Sequence, residues 1–246
     1  MCTITLFYKV IDKFPVLIAQ NRDSLERNLE IPPKEIQSIQ KVFAPIDMNS
    51  GGTWIGVNQN KVVLALTNYY QPEREKYIFS MSRGSLVLEA LKKCDSSEQV
   101  ILFVENAVKH QKLKFFNLFS LSPDRAFFIQ YNGAFQVNTI SEGLHFHYSS
   151  GYDEGYIKNI RETRLKHLFS EFNSHNLDDA LENIWVACRD HSDTIPSEQS
   201  ICMHGKQRRT VSSTIFTVPQ FDRNIHCYYL YGSPCEKKYT GFLFTI

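Results

Sequence analysis

Cys2 is the residue of this chain whose type and place carry the most chemistry. Removal of the initiator Met1 is expected before so small a residue, and it would leave a thiol and a free α-amine on Cys2. An α-amine titrates near ~7.7–8.0, so it can serve as a general base close to neutral pH. A thiol, at ~8.5 before perturbation, is an intrinsically good nucleophile. Base and nucleophile would then share one residue. The competing reading is a small apolar residue that merely begins a strand. Asn21-Arg22-Asp23 follows the apolar run Val16-Leu17-Ile18-Ala19. An Arg and an Asp there could orient a thiolate and lower its pKa, or could form a local ion pair at a solvated strand end. Asn68 closes another apolar run, Leu64-Ala65-Leu66-Thr67. It is either a turn residue or a donor to a developing oxyanion.

Other chemistries find less support. Gly51-Gly52-Thr53-Trp54-Ile55-Gly56 places three glycines around Trp54, which allows positive φ or close backbone approach. Its spacing matches neither dinucleotide nor P-loop signatures. His145 and His147 alternate on one strand face with no evident third ligand, so they read as ordinary strand residues and no metal or cofactor is expected. Neither HExxH nor GxSxG occurs.

Positioning these residues requires strands and helices in a definite order. Cys2–Tyr8 and Pro15–Gln20 read as strands, with 21–50, which carries Pro32, Pro33 and Pro45, as a long loop. Thr53–Val57 and Val62–Thr67 read as a hairpin. Ser82 is a plausible N-cap for a first helix. Asp95 with Glu98 resembles a capping box for a second, whose Val100, Phe103, Val104, Ala107 and Val108 share a face. Strands follow at Phe115–Leu121, Ala126–Tyr131, Ala134–Ile140 (after the hairpin signal Asn132-Gly133) and Leu144–Tyr148. Two more apolar stripes, Ile157–Phe172 and Leu177–Cys188, read as helices. A polar loop over 190–209 precedes strands at Val211–Val218, Ile225–Tyr231 and Tyr239–Ile246. The order of strands and helix pairs favours one α+β domain over 1–246, a four-layer αββα sandwich of two mostly antiparallel sheets. A two-layer α+β arrangement fits the periodicity nearly as well.

The totals bound the function. The chain has 246 residues, 43% hydrophobic and 22% charged, with a formal net charge of +1, which suits a globular domain and argues against a nucleic-acid binder. The cluster Lys206, Arg208, Arg209 reads as a solvated or substrate-facing loop. No apolar run approaches the ~20 residues of a membrane span, and the start lacks the pattern of a signal peptide. The expected location is cytoplasmic. Six cysteines form no CxxC pair, so most should be buried free thiols.

Met1-Cys2-Thr3, Ala19-Gln20-Asn21-Arg22-Asp23, Gly51–Gly56, Leu66-Thr67-Asn68, Ser82-Arg83-Gly84, Thr210–Thr214 and Gly232-Ser233-Pro234-Cys235 run in an order and spacing that resemble the NRDE family, which includes the Transport and Golgi organisation protein 2 homologues. The family's namesake motif ends in Glu; this chain has Ser24, with Glu26 nearby. The resemblance implies an N-terminal-nucleophile (Ntn) hydrolase fold similar to linear-amide hydrolases. Carried over by motif, Cys2 matches the nucleophile, Asp23 and Arg22 the cluster that orients it, Asn68 the oxyanion-side amide and Arg209 the late arginine. Ser150 stands where those hydrolases have a second Asn, and with Trp54 and Asn21 it is a substrate-side candidate. The implied activity is hydrolysis or acyl transfer at a linear amide (or thioester). The alternative it implies is a non-catalytic carrier of haem or an acyl lipid.

Overall fold

The computed structural model describes residues 2–24, 29–69, 79–149, 154–191, 198–206 and 208–246, with only the backbone described over 154–158. Strands β1 (Cys2–Ile11) and β2 (Phe14–Ser24) form an antiparallel hairpin closed at Asp12-Lys13, where Lys13 adopts a φ of 63°. Asn21-Arg22-Asp23 is thus inside a strand rather than at its open end. β3 (Glu30–Ile36) and β4 (Val42–Asp47) fall inside the segment expected to be a loop, whose first four residues belong to β2. Prolines misled that expectation. β3 is an edge strand that pairs with β4 alone, and its register slips between Ile31 and Lys34, where Pro32 and Pro33 fall. An edge strand tolerates a residue with no N–H to donate.

β5 (Ile55–Asn58) and β6 (Val63–Asn68) form the expected hairpin. Helices α1 (Arg83–Lys93) and α2 (Ser97–His110) follow. Ser82 caps α1, its Oγ accepting from Ser85 N at 3.0 Å. The cap of α2 is Ser96, one residue beyond the expected Asp95: Ser96 Oγ accepts from Gln99 N, and Gln99 Oε1 accepts in turn from Asp95 N at 2.8 Å. Strands β7 (Phe116–Leu121), β8 (Ala126–Tyr131), β9 (Phe135–Thr139) and β10 (Gly143–Ser149) come next, then α3 (Glu154–Leu168) and α4 (Leu177–Arg189). β11 (Arg209–Val218), β12 (Asn224–Tyr231) and β13 (Thr240–Thr245) complete the order.

Two compact units result. The first comprises Met1–Asn28 and Glu142–Leu243, and the second Leu29–Ser141 and Phe244–Ile246. The sheet of the first has the order β10-β1-β2-β11-β12-β13. Phe7, Leu17, Ala19 and Ile215 meet Leu165 of α3, Phe169 just beyond it, and Leu181 and Ile184 of α4. Away from the irregularity between Tyr8 and Ile11 and the turn it adjoins, the odd-numbered residues of β1 and β2 therefore face the helices, and the even-numbered ones face the other side. α4 is fixed at its start by Asn176, whose Oδ1 accepts from Asp178 N and Asp179 N, and two aspartates in its first turn suit the helix dipole.

In the second unit the order is β3-β4-β5-β6-β7-β8-β9. Val42, Ala44, Leu64, Leu66, Leu118 and Ile129 pack with α1 and α2. The buried side chains of Gln40 and Asn58 both donate to the carbonyls of Leu91 and Cys94, satisfying two of the carbonyls at the end of α1. Two of the glycine-bearing motifs explain each other in this unit. A Cβ on Gly52 would lie 2.3 Å from the backbone of Gly84, and Thr53 N donates to Gly84 O at 3.1 Å. Gly52→Ala is expected to destabilise the protein by about 1–3 kcal/mol or more through this backbone collision. Urea denaturation with a probe in α1 would measure it, while Gly241→Ala, with open space at its Cβ, should be close to neutral. Among the described residues, no helix is long and apolar enough to cross a membrane.

Candidate active site around Cys2

Cys2 opens β1 between two strands, paired with Ser149 of β10 on one side and Arg22 of β2 on the other. Arg22 pairs in turn with Ser212 of β11. Residues directly opposite in an antiparallel ladder project to the same face, so Ser149, Cys2, Arg22 and Ser212 form one row across the sheet. That row lies on the face away from α3 and α4. Cys2 is 7% exposed and Ser149 2%. Ser149 Oγ accepts a hydrogen bond from the Cys2 backbone nitrogen at 3.1 Å. The hydroxyl of Ser212 is buried and meets no partner among the described residues.

Asn21 and Asp23, one position either side of Arg22, project to the helix face. Asn21 Nδ2 donates to Cys188 O at 2.9 Å and Ile201 O at 3.1 Å, tethering β2 to the end of α4 and the segment after it. Asp23 Oδ2 accepts from Arg161 Nη1 at 3.2 Å, and Oδ1 accepts from Thr210 Oγ1 at 2.7 Å. The side chains of Arg161 and Asp23 are 1% and 0% exposed. Arg161 also donates to Thr3 Oγ1 at 2.9 Å and to the carbonyls of Gln199 and Glu198. The fully buried guanidinium is thereby satisfied by a carboxylate, a hydroxyl and two carbonyls. Through Thr3 it also holds the residue next to Cys2.

Ser24 pairs with Arg209 across β2 and β11, and alternation returns it to the face of Cys2. The guanidinium of Arg209 donates to Ser233 Oγ at 3.0 Å and approaches Glu236 Oε2 at 3.5 Å. Glu26 and Ser150 lie outside the described residues. Asn68 and Trp54 belong to the second unit. Asn68 ends β6, paired with Phe116, and Trp54 is buried just before β5, its carbonyl accepting from Leu66 N at 2.7 Å.

Two participants, Ser149 and Arg161, escaped sequence reasoning. Ser149 is a single position from the residue singled out, and only the β1–β10 register shows which of the two serines stands opposite Cys2. Arg161 left a signal in the sequence: it sits four residues before Leu165, a charge on the apolar stripe of α3. Burial pushes the Cys94 thiol up to about 11 and raises Cys188 and Cys227 as well, so these three thiols stay protonated and poorly nucleophilic near neutral pH. Burial also raises the Tyr148 phenol, with a further push from Glu162. Tyr148 is therefore neutral beneath the row.

Comparison with known proteins shows the family and the fold. The model of the Transport and Golgi organisation 2 family matches residues 1–237. Solved structures that resemble the chain include the C2A mutant of conjugated bile acid hydrolase from Clostridium perfringens, at 12% identity and a TM-score of 0.55, covering 100% of this chain and 97% of that one. The Caenorhabditis elegans N-acylethanolamine-hydrolyzing acid amidase ortholog matches at 10% identity and a TM-score of 0.54, covering 89% of this chain and 94% of that one. No curated protein matches the chain. The fold is that of the Ntn hydrolases: α+β, with two antiparallel sheets and two helix pairs.

Proposed function

The chain belongs to the Transport and Golgi organisation 2 family, and from that premise we propose that it is an Ntn-type cysteine hydrolase or acyltransferase acting on a linear amide C–N bond or a thioester of a small molecule. The observation that carries the reading is the bond from the Cys2 nitrogen to Ser149 Oγ, at a strand end flanked by Arg22. Once Met1 is removed, that nitrogen is a free amine. Ser149 accepts one of its N–H bonds and so helps aim the lone pair at the sulfur of the same residue. The amine takes the thiol proton, and the thiolate attacks the substrate carbonyl. The resulting ammonium gives its proton to the leaving nitrogen as the C–N bond breaks. Water, deprotonated by the freed amine, then cleaves the thioester. In an acyltransferase a second amine or thiol takes the place of water.

In this reading Arg22 supplies positive charge beside the thiolate. Asp23 acts at one remove, holding the start of β1 through Arg161 and Thr3. Asn68 keeps the oxyanion role and Arg209 the late-arginine role that the family resemblance implies. Ser149→Ala is expected to lower kcat by on the order of 10-fold with little change in KM, because it removes an aim rather than a binding contact. Ser149→Thr, which keeps the hydroxyl, should recover most of that loss. The fold-level likeness to a bile acid hydrolase and an acid amidase supports amide chemistry without fixing the substrate. A cytoplasmic location, without nucleic-acid or membrane partners, belongs to the same proposal.

One observation favours a second reading, a non-catalytic carrier of haem or an acyl lipid. Ser24 faces the side of Cys2 with a hydroxyl where the family's motif has a carboxylate. Titration with haemin separates the readings. A saturable Soret shift, unaffected by Cys2→Ala and accompanied by no amidase or thioesterase turnover, would support the carrier.

A further inference from the structure

A second constellation lies in the first unit, built from residues that the acyl-transfer chemistry does not use. Ligand-capable atoms of His191, His204 and Cys235 all fall within 4.8 Å of one another. Cys202 joins them: its Sγ is 3.5 Å from His204 Nε2 and 3.5 Å from Cys235 Sγ, while His204 Nε2 is 3.1 Å from Cys235 Sγ. We propose that Cys202, Cys235, His204 and His191 bind a single tetrahedral divalent ion of the zinc class.

The distances fit such an ion. Bonds of ~2.3 Å to sulfur and ~2.0–2.1 Å to nitrogen set the edges of a ligand tetrahedron at about 3.3–3.8 Å. The three shortest separations straddle the lower end of that range. His191 is the outlying corner, its ring perpendicular to that of His204 with centroids 5.3 Å apart, and a turn of one exposed imidazole closes the set. Two thiolates and two imidazoles suit zinc and disfavour magnesium or calcium, which take oxygen ligands.

The backbone holds the donors in place. Cys202 N donates to Asp190 O at 2.8 Å, and Asp190 is itself held bidentately by Arg164. Met203 and Thr210 exchange two bonds, Thr210 N to Met203 O and Met203 N to Thr210 Oγ1. Cys235 lies inside the turn closed by the bond from Glu236 N to Ser233 O, just after Gly232, whose N donates to Val211 O. The ion would join three chain segments: the end of α4, the stretch before β11 and the β12–β13 connection. A closed Cys2His2 set leaves no open position for substrate, so its role is that of a staple. It stiffens the stretch whose Glu198 and Gln199 carbonyls receive Arg161.

The test uses the full chain, stripped of metal with EDTA under reducing conditions and titrated with Co2+. The expected result is saturation at one equivalent, with intense visible d–d bands of tetrahedral cobalt and a near-ultraviolet thiolate-to-cobalt band. Zn2+ should bleach both and protect Cys202 and Cys235 from alkylation. His191→Ala and Cys235→Ser should each weaken Co2+ binding on the order of 100-fold or more, since losing even an outer-shell partner costs ~10–100-fold. Cys94→Ser should leave binding unchanged. Because Cys235→Ser removes a half-buried group and can affect folding, the exposed His191→Ala is the deciding variant. A weak octahedral spectrum, or one that persists in His191→Ala and Cys235→Ser, would overturn the proposal. A Cys202–Cys235 disulfide that forms while Co2+ fails to bind the reduced chain would overturn it too.

Discussion

Arg161→Met is expected to destabilise the protein by about 3–5 kcal/mol. The methionine fills much of the volume but leaves the carboxylate of Asp23, 0% exposed, without its cation. Neutral donors such as Thr210 Oγ1 do not compensate a buried charge. Against a total stability of ~5–15 kcal/mol, such a loss brings the variant close to unfolding. The cause can be isolated. Arg161→Met combined with Asp23→Asn removes both charges, and it should be more stable than Arg161→Met alone by on the order of 2 kcal/mol, a coupling within the range seen for contacting residues. Urea unfolding of the four proteins in that cycle measures this directly. If the double variant is no more stable than Arg161→Met, the cost lies in lost packing rather than in the loss of the carboxylate's ion pair with Arg161.

The other large effect is on chemistry. Cys2→Ala is expected to reduce acyl transfer on the order of 1,000-fold or more, equivalent to about 4 kcal/mol in the barrier, with little change in stability. Cys2 is small and sits at the beginning of a strand, so its side chain adds little to the core, whereas the proposed reaction has no other nucleophile. Cys2→Ser should retain a trace of activity on activated esters, because a hydroxyl is far less acidic than a thiol. Undiminished turnover by Cys2→Ala would remove Cys2 as the nucleophile and with it the proposed mechanism.

Most of the architecture was legible in periodicity and caps. α4 is an example: its stripe from Leu177 to Cys188 coincides with the observed Leu177–Arg189. The segment over 21–50 was not legible, because two prolines that normally argue against a strand are harmless on an edge. At the site, residue types were readable but faces were not. Asn21, Arg22 and Asp23 are adjacent in sequence, yet alternation sends Arg22 to the side of Cys2 and its two neighbours toward α3 and α4. Only the partners across the ladder and the reach of Arg161 show this. The same limit hid Ser149 beside Ser150. The Cys/His constellation was invisible for another reason. Its members stand at 191, 202, 204 and 235, spacings set by the fold rather than by a short motif, and they converge only when the stretch before β11 pairs back onto it.

The claim on which the enzyme reading rests is that a freed Cys2 amine activates its own thiol. Intact-mass analysis after brief exposure to an activated acyl ester tests it most directly. An acid quench keeps the amine protonated and prevents sulfur-to-nitrogen transfer of the acyl group. The expected result is a chain lacking Met1 that carries one hydroxylamine-labile acyl group on Cys2, absent from Cys2→Ala and slowed in Ser149→Ala. A chain whose first residue is Cys2 but whose label falls elsewhere, or is equally strong in Cys2→Ala, would contradict it.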